Sequence, residues 1–136
     1  MAPVRLTRAL EFAASLRYAR ADLAPQENQR LFGPRASRHG HNYRLEVTVE
    51  GEPDPATGMV MDLAELKEIL DAEIMARFDH RDLVDDTPYF AKVLPTPENV
   101  ALVIRQLLLE ALPPGALARI RLQPDEDHWV EVVEER

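Results

Sequence analysis

The chain contains no cysteine. That absence removes disulfide bridges, thiolate metal ligands and any cysteine nucleophile or base from the chemistry open to it. Basic residues are outnumbered, 16 Lys and Arg against 24 Asp and Glu. The resulting net charge of −8 argues against a sequence-independent grip on nucleic acid or on a membrane surface. A local basic patch survives where Arg30, Arg35 and Arg38 precede His39. No apolar run is long enough to cross a bilayer, and the first residues lack the apolar core of a secretory signal, so a cytoplasmic protein is expected. Internal repeats and low-complexity tracts are missing as well. What is present is 136 residues, 46% hydrophobic and 29% charged, which suits one globular domain over 1–136 with a proper core.

The most informative stretch is His39-Gly40-His41-Asn42-Tyr43, which opens the alternating run Arg44-Leu45-Glu46-Val47-Thr48-Val49-Glu50. Alternation predicts a strand, and residues two apart on a strand share a face. Both imidazoles therefore point the same way at the end of an apolar stripe, and neutral imidazole is a common zinc ligand. Gly40 leaves the opposite face bare for close approach of a backbone or ligand.

Taken in order, 4–18 alternates, with Val4, Leu6, Leu10, Phe12, Ala14, Leu16 and Tyr18 on one face, and predicts a long half-buried strand. A short helix over 25–32 is bounded by Gly33-Pro34. After the histidine strand, Gly51 to Gly58 form a turn. Asp62 then caps a helix, with Glu65 in the capping-box position and Leu63, Leu66, Leu70, Ile74 and Phe78 at helical spacing. A polar connection leads to Thr96, Pro97 and Glu98, which have the chemistry of a second helix start. Pro113-Pro114-Gly115 ends that helix, and strands at 118–123 and 129–133 close the chain. The order strand-strand-helix-helix-strand-strand predicts an α+β layer, a four-stranded antiparallel sheet with both helices on one face.

Five blocks in this order carry a family resemblance: Glu11-Phe12-Ala13-Ala14-Ser15, His39-Gly40-His41-Asn42-Tyr43, Gly58-Met59-Val60-Met61-Asp62-Leu63, Phe78-Asp79-His80-Arg81-Asp82-Leu83 and Pro95-Thr96-Pro97-Glu98-Asn99. Together they resemble the 6-pyruvoyltetrahydropterin synthase family, which includes the bacterial 6-carboxytetrahydropterin synthases. The resemblance implies the T-fold, with sheets joined around a trimeric barrel and two barrels stacked as a homohexamer. It also implies a pterin-type ligand, a zinc held by three histidines, a cysteine-aspartate-histidine proton relay and a glutamate that clamps the pterin ring.

Carried over residue by residue, that chemistry is incomplete. His39 and His41 match two zinc ligands, but Leu16 stands in the slot of the third. The relay cysteine falls near Pro34 or at Arg35, while Asp79 and His80 match its other members. The ring-clamping glutamate falls at Pro124, and Asp125 beside it offers a substitute carboxylate. Zinc is accordingly expected to be weakly held or absent, because two protein ligands leave half the tetrahedron to solvent.

Blander roles stand beside these. His80 at a helix end can simply serve the last carbonyls, Thr96 and Glu98 suffice as helix-start residues as well as substrate contacts, Trp129 suits a core or subunit contact, and His128 suits a turn. Arg35 and Arg38 suit either an anionic ligand or solvent. Two functions follow: an enzyme of the pterin-synthase type with a degenerate site, or a non-catalytic ligand-binding or companion subunit.

Overall fold

Two 13-residue strands carry the architecture in the computed structural model, which describes residues 2–135. β1 (Val4–Leu16) and β2 (His39–Gly51) pair antiparallel along their whole length, from Val4 opposite Gly51 to Leu16 opposite His39. Apolar alternation sets that register, since a one-residue slip would turn the entire apolar face to water. β4 (Leu117–Asp125) adds to β2 and β5 (His128–Val133) adds to β4, both antiparallel.

The sheet has five strands among the described residues, in the order β3-β1-β2-β4-β5. The fifth, β3, is only Arg81–Asp82, and it runs parallel to β1 beside Ala14 and Ser15. Its residues carry no apolar alternation, so the sequence pattern reads as a polar connection. Backbone pairing with β1 makes the strand instead.

Between β1 and β2 lie helix α1 (Pro25–Phe32) and a 3-10 turn (Gly33–Ala36). The first long helical stretch is a composite: α2 (Leu63–Leu70), one π-helical turn (Asp71–Met75) and α3 (Ala76–Phe78). Asp62 caps it, accepting from Ala64 N–H at 2.8 Å, while Glu65 faces solvent. Leu63, expected on the apolar stripe, is exposed in the single chain. α4 (Pro97–Ala111) starts at Thr96, whose hydroxyl accepts from Asn99 N–H at 3.2 Å.

Leu66, Leu70, Ile74 and Phe78 from the composite helix and Val100, Ile104 and Leu108 from α4 are sealed against Phe12, Tyr43, Leu45, Val47, Ile120 and Leu122 of the sheet. Each such side chain contributes roughly 1.5–3 kcal/mol of burial free energy. Trp129, expected in a core or at a contact between subunits, lies outside the core. It is 50% exposed on β5, with the Arg121 guanidinium 4.1 Å from its ring centre. Among the described residues no helix is long and apolar enough to cross a membrane. The pairing collects the end of β1, the start of β2, the end of β4 and the start of β5 at one end of the sheet.

Candidate functional site

His39 and His41 project from the first turn of β2 on the helix-facing side, their rings 5.4 Å apart and nearly perpendicular. His39 Nδ1 lies 2.9 Å from the Ser37 carbonyl. A carbonyl can only accept, so Nδ1 carries the proton and Nε2 keeps its lone pair. His41 packs edge-on against buried Tyr43, which stacks on Phe12. Burial holds the His41 imidazole below its ordinary range, helped by His39 and His128 and opposed by Asp125. Asp125 and His128 thus stand close enough to His41 to act on its charge.

Leu16 lies directly opposite His39 in the β1–β2 register and is 1% exposed. The side chain at that position is a hydrocarbon and cannot ligate. Among the described residues no group of three or more His, Cys, Asp or Glu is placed to hold a metal ion. The His39–His41 pair therefore supplies two of the three protein ligands that a closed three-ligand zinc site takes.

Asp79 and His80 follow α3, and β1 holds both. Ala13 N–H donates to Asp79 Oδ1 at 2.9 Å, and His80 N–H donates to Ala13 O at 2.6 Å. The bond from Ala13 keeps the Asp79 carboxyl below the usual carboxylate range against the opposing effect of burial, with further help from His80. His80 has φ +59°, a left-handed conformation that costs a side-chain-bearing residue some strain. That turn brings Nδ1 within 3.0 Å of Asp79 Oδ2 and leaves the imidazole 83% exposed. His80 thus serves no helix carbonyl. With Nδ1 committed to Asp79, Nε2 is the ring nitrogen left without a partner in that pair.

A cavity of about 560 Å³ joins His41 to His80, lined also by Asn42, Arg81, Arg38 and Asp82, whereas His39 and Asp79 do not line it. Its buried hub is Asp82, which takes Ser15 Oγ–H at 2.8 Å, Val84 N–H at 3.0 Å and Asp85 N–H at 2.9 Å. Burial alone would raise the Asp82 carboxyl, but the bonds from Asp85 N–H, Ser15 and Val84 N–H outweigh it and hold it low. Arg38 spans Asp82 at 3.2 Å and Asp85 at 2.6 Å, and Arg17 grips Asp85 with two bonds of 3.0 Å. Arg38 is therefore tied rather than merely solvated, and it clamps the segment before His39 onto the turn after β3.

A second cavity of about 450 Å³ lies on the other side of Gly40, His41 and Asn42. Glu11, Arg44, Gln123, Pro124, Asp125 and Glu126 complete it. Asp125 thus shares this cavity with His41. Thr96 and Glu98 line neither cavity; Thr96 caps α4, and Glu98 lies near Tyr18, whose phenol is raised by burial first and by Glu98 in smaller part. His128 opens β5 and leans on Asp127 at 2.7 Å.

Ser15, Asp82, Glu11 and Gln123 were not singled out from the pattern. Glu11, Ser15 and Asp82 stand in the family-resembling blocks without a role of their own and Gln123 carries no signal; strand register brings them to the cavities.

Gly40 shows why the strand ends meet so closely. A Cβ built there would lie 3.2 Å from Ala14 O, tighter than most such contacts.

The fold and cleft define the class: an α+β T-fold chain with a histidine–carboxylate cleft at one end of its sheet. The model of 6-pyruvoyl tetrahydropterin synthase matches residues 5–135, and the chain belongs to that family. The 6-pyruvoyl tetrahydrobiopterin synthase of Homo sapiens is 44% identical over 128 residues, covering 93% of this chain and 88% of the relative. The dihydroneopterin monophosphate aldolase of Pyrococcus furiosus is 37% identical over 97 residues, covering 69% of this chain and 76% of that protein. Among solved structures, the Caenorhabditis elegans 6-pyruvoyl tetrahydropterin synthase superposes with a TM-score of 0.91 at 31% identity, covering 99% of this chain and 98% of that one.

Proposed function

We propose that this protein binds a pterin-type ligand in the cleft around His41, with Asp79 and His80 as its acid–base pair and a zinc site reduced to His39 and His41. The observation that carries the reading is the meeting of two cavities at Gly40-His41-Asn42, with the Asp79-anchored His80 lining one and Asp125 the other. The names of the relatives, a 6-pyruvoyl tetrahydrobiopterin synthase and a dihydroneopterin monophosphate aldolase, support the ligand class.

In this reading His80 Nε2 takes or returns a proton on the ligand's side chain while Asp79 fixes the ring and balances the charge that forms. Positioned acid–base groups typically contribute ~10²–10⁴-fold. Leu16 and the lack of cysteine withdraw other help: a third histidine to hold a metal and a thiol matched to the proton transfer. The same chain therefore turns over dihydroneopterin triphosphate negligibly as a purified homo-oligomer, and holds zinc substoichiometrically after mild chelation. A homohexamer built around the sheet edges is the assembly this reading expects.

A second reading, a non-catalytic subunit of a mixed assembly, rests on one feature, Leu16 buried opposite His39. A product assay separates the two. The natural chain is compared with a variant carrying Leu16→His, Arg35→Cys and Pro124→Glu. Activity confined to the variant supports the degenerate-site reading, and robust turnover by the natural chain overturns it.

A further inference from the structure

The two oxygens of the buried Asp82 carboxylate have divided tasks. Oδ1 stays within its own turn, taking Val84 N–H at 3.0 Å and Asp85 N–H at 2.9 Å. Oδ2 reaches outside it, to Ser15 Oγ–H at 2.8 Å on β1 and to Arg38 Nε at 3.2 Å just before β2. Next to Ser15, Ala14 lies opposite His41 in the β1–β2 register and beside Arg81 in the β1–β3 register. Only the two residues of β3 pair with β1, a ladder shorter than the usual strand and weak as a joint by itself. Oδ2 therefore fastens the turn that carries His80 to β1 and to the entry of β2, which carries His41.

We infer that Asp82 is a positioning residue of the cleft: through Oδ2 it sets the separation between His80 and His41, and with it the fit of the ligand between them. Four donors fill the roughly four lone-pair sites of a carboxylate, so Asp82 acts through what it holds rather than by touching the ligand. The turn alone does not call for an acid. An asparagine carbonyl oxygen would take both N–H groups equally well, and a buried carboxylate is costly unless each oxygen is satisfied. What asparagine cannot supply is the second acceptor, the one that meets Ser15 and Arg38. Both histidines line the same cavity, and a misplacement of ~1 Å between such groups can cost ~10²-fold.

Asp82→Asn is the decisive variant, since it keeps the turn and removes the fastening. The ligand is that of the pterin reading, on which the inference rests, so two measurements on the full chain keep them apart. Amide hydrogen exchange of the ligand-free chain reads the joint. Exchange across 13–16 and 79–83 should quicken ~10-fold or more in Asp82→Asn, while the β2–β4 ladder keeps its natural rate. Exchange quickened equally throughout the sheet, or unchanged at the joint, would overturn the inference. Isothermal titration with pterin reads the fit. Asp82→Asn should weaken pterin ~10-fold or more, the order of one charge-assisted bond, and Arg38→Gln should do the same in the natural chain. In the Asp82→Asn background, Arg38→Gln should add less than ~3-fold, because the two side chains act through one bond. Fully additive losses, or an Asp82→Asn chain that binds pterin as tightly as the natural one, overturn the positioning role while the pterin reading stands. If the natural chain binds no pterin, that reading is overturned, and the exchange result alone decides whether Asp82 sets the joint.

Discussion

Leu16 faces His39 across the β1–β2 ladder and is sealed from solvent, so the position serves the core and denies a donor to the histidines. Its two roles separate by substitution. Leu16→Ala should cost about 2–5 kcal/mol in urea unfolding, the range for a buried leucine emptied to a cavity. Leu16→His should instead raise bound zinc toward one per chain, read by elemental analysis after dialysis against a weak chelator. No gain in zinc would mean that the His39–His41 pair is not aimed at a shared point. Asp79 makes a different residue-scale prediction. Its carboxyl is held low by Ala13 N–H, so its contribution to stability is fully present above the ordinary carboxylate value of ~3.9 and is lost as pH falls through the lower folded value. Asp79→Asn should lower stability at neutral pH and remove that acid-limb loss. Urea midpoints measured from pH 7 to about pH 2 in both proteins check this.

At the scale of elements, the end of β1 is the part most exposed to small errors, because three partners converge on it. β2 pairs along one side, β3 docks on the other, and Asp79 and Ser15 bind across the gap. Gly40→Ala would push a methyl group to within 3.2 Å of Ala14 O, a backbone atom in a paired strand that has little room to yield. The expected cost is about 1–3 kcal/mol, the usual range for overpacking, with reduced ligand binding because His41 moves with the strand. Thermal melts and the pterin titration read the two effects together. A variant as stable as the natural chain would show that the ladder tolerates separation at this end. The turn after β3 is governed by the same local chemistry, since Asp82 organises Val84 and Asp85 while binding Ser15. This hub was invisible as a site because its partners come from β1 and from the segment before β2.

At the scale of the whole molecule, the single chain leaves both sheet edges open. β5 presents Trp129 and Val133 to solvent, and the first residues of β1 expose Val4 on the opposite edge. Open edges bearing apolar side chains invite pairing with another copy. Light scattering at micromolar concentration should therefore report an oligomer, a homohexamer by the expectation of the T-fold. Combined Trp129→Glu and Val133→Glu should shift it toward smaller species. A natural chain that scatters as a monomer would remove this prediction, together with any site formed between subunits.

Legibility followed physical range. Alternation in 4–18 and 39–50, the Asp62 and Thr96 caps and the proline stop at 113–114 are local, and each set its element where the structure has it. The histidine pair was legible for the same reason, since i and i+2 on a strand share a face whatever the rest of the chain does. The two-residue β3 was not, because it owes its existence to Ala14 and Ser15 rather than to its own sequence. Nor was the strain at His80 or the clamp from Arg38 to Asp82 and Asp85. Sequence by itself determined where the long strands and helices form and which face of each is apolar, because those depend on neighbours a few residues away. Tertiary structure alone decided which carboxylates are spent on backbone N–H groups and which segments they tie together, because that depends on strand register between segments dozens of residues apart.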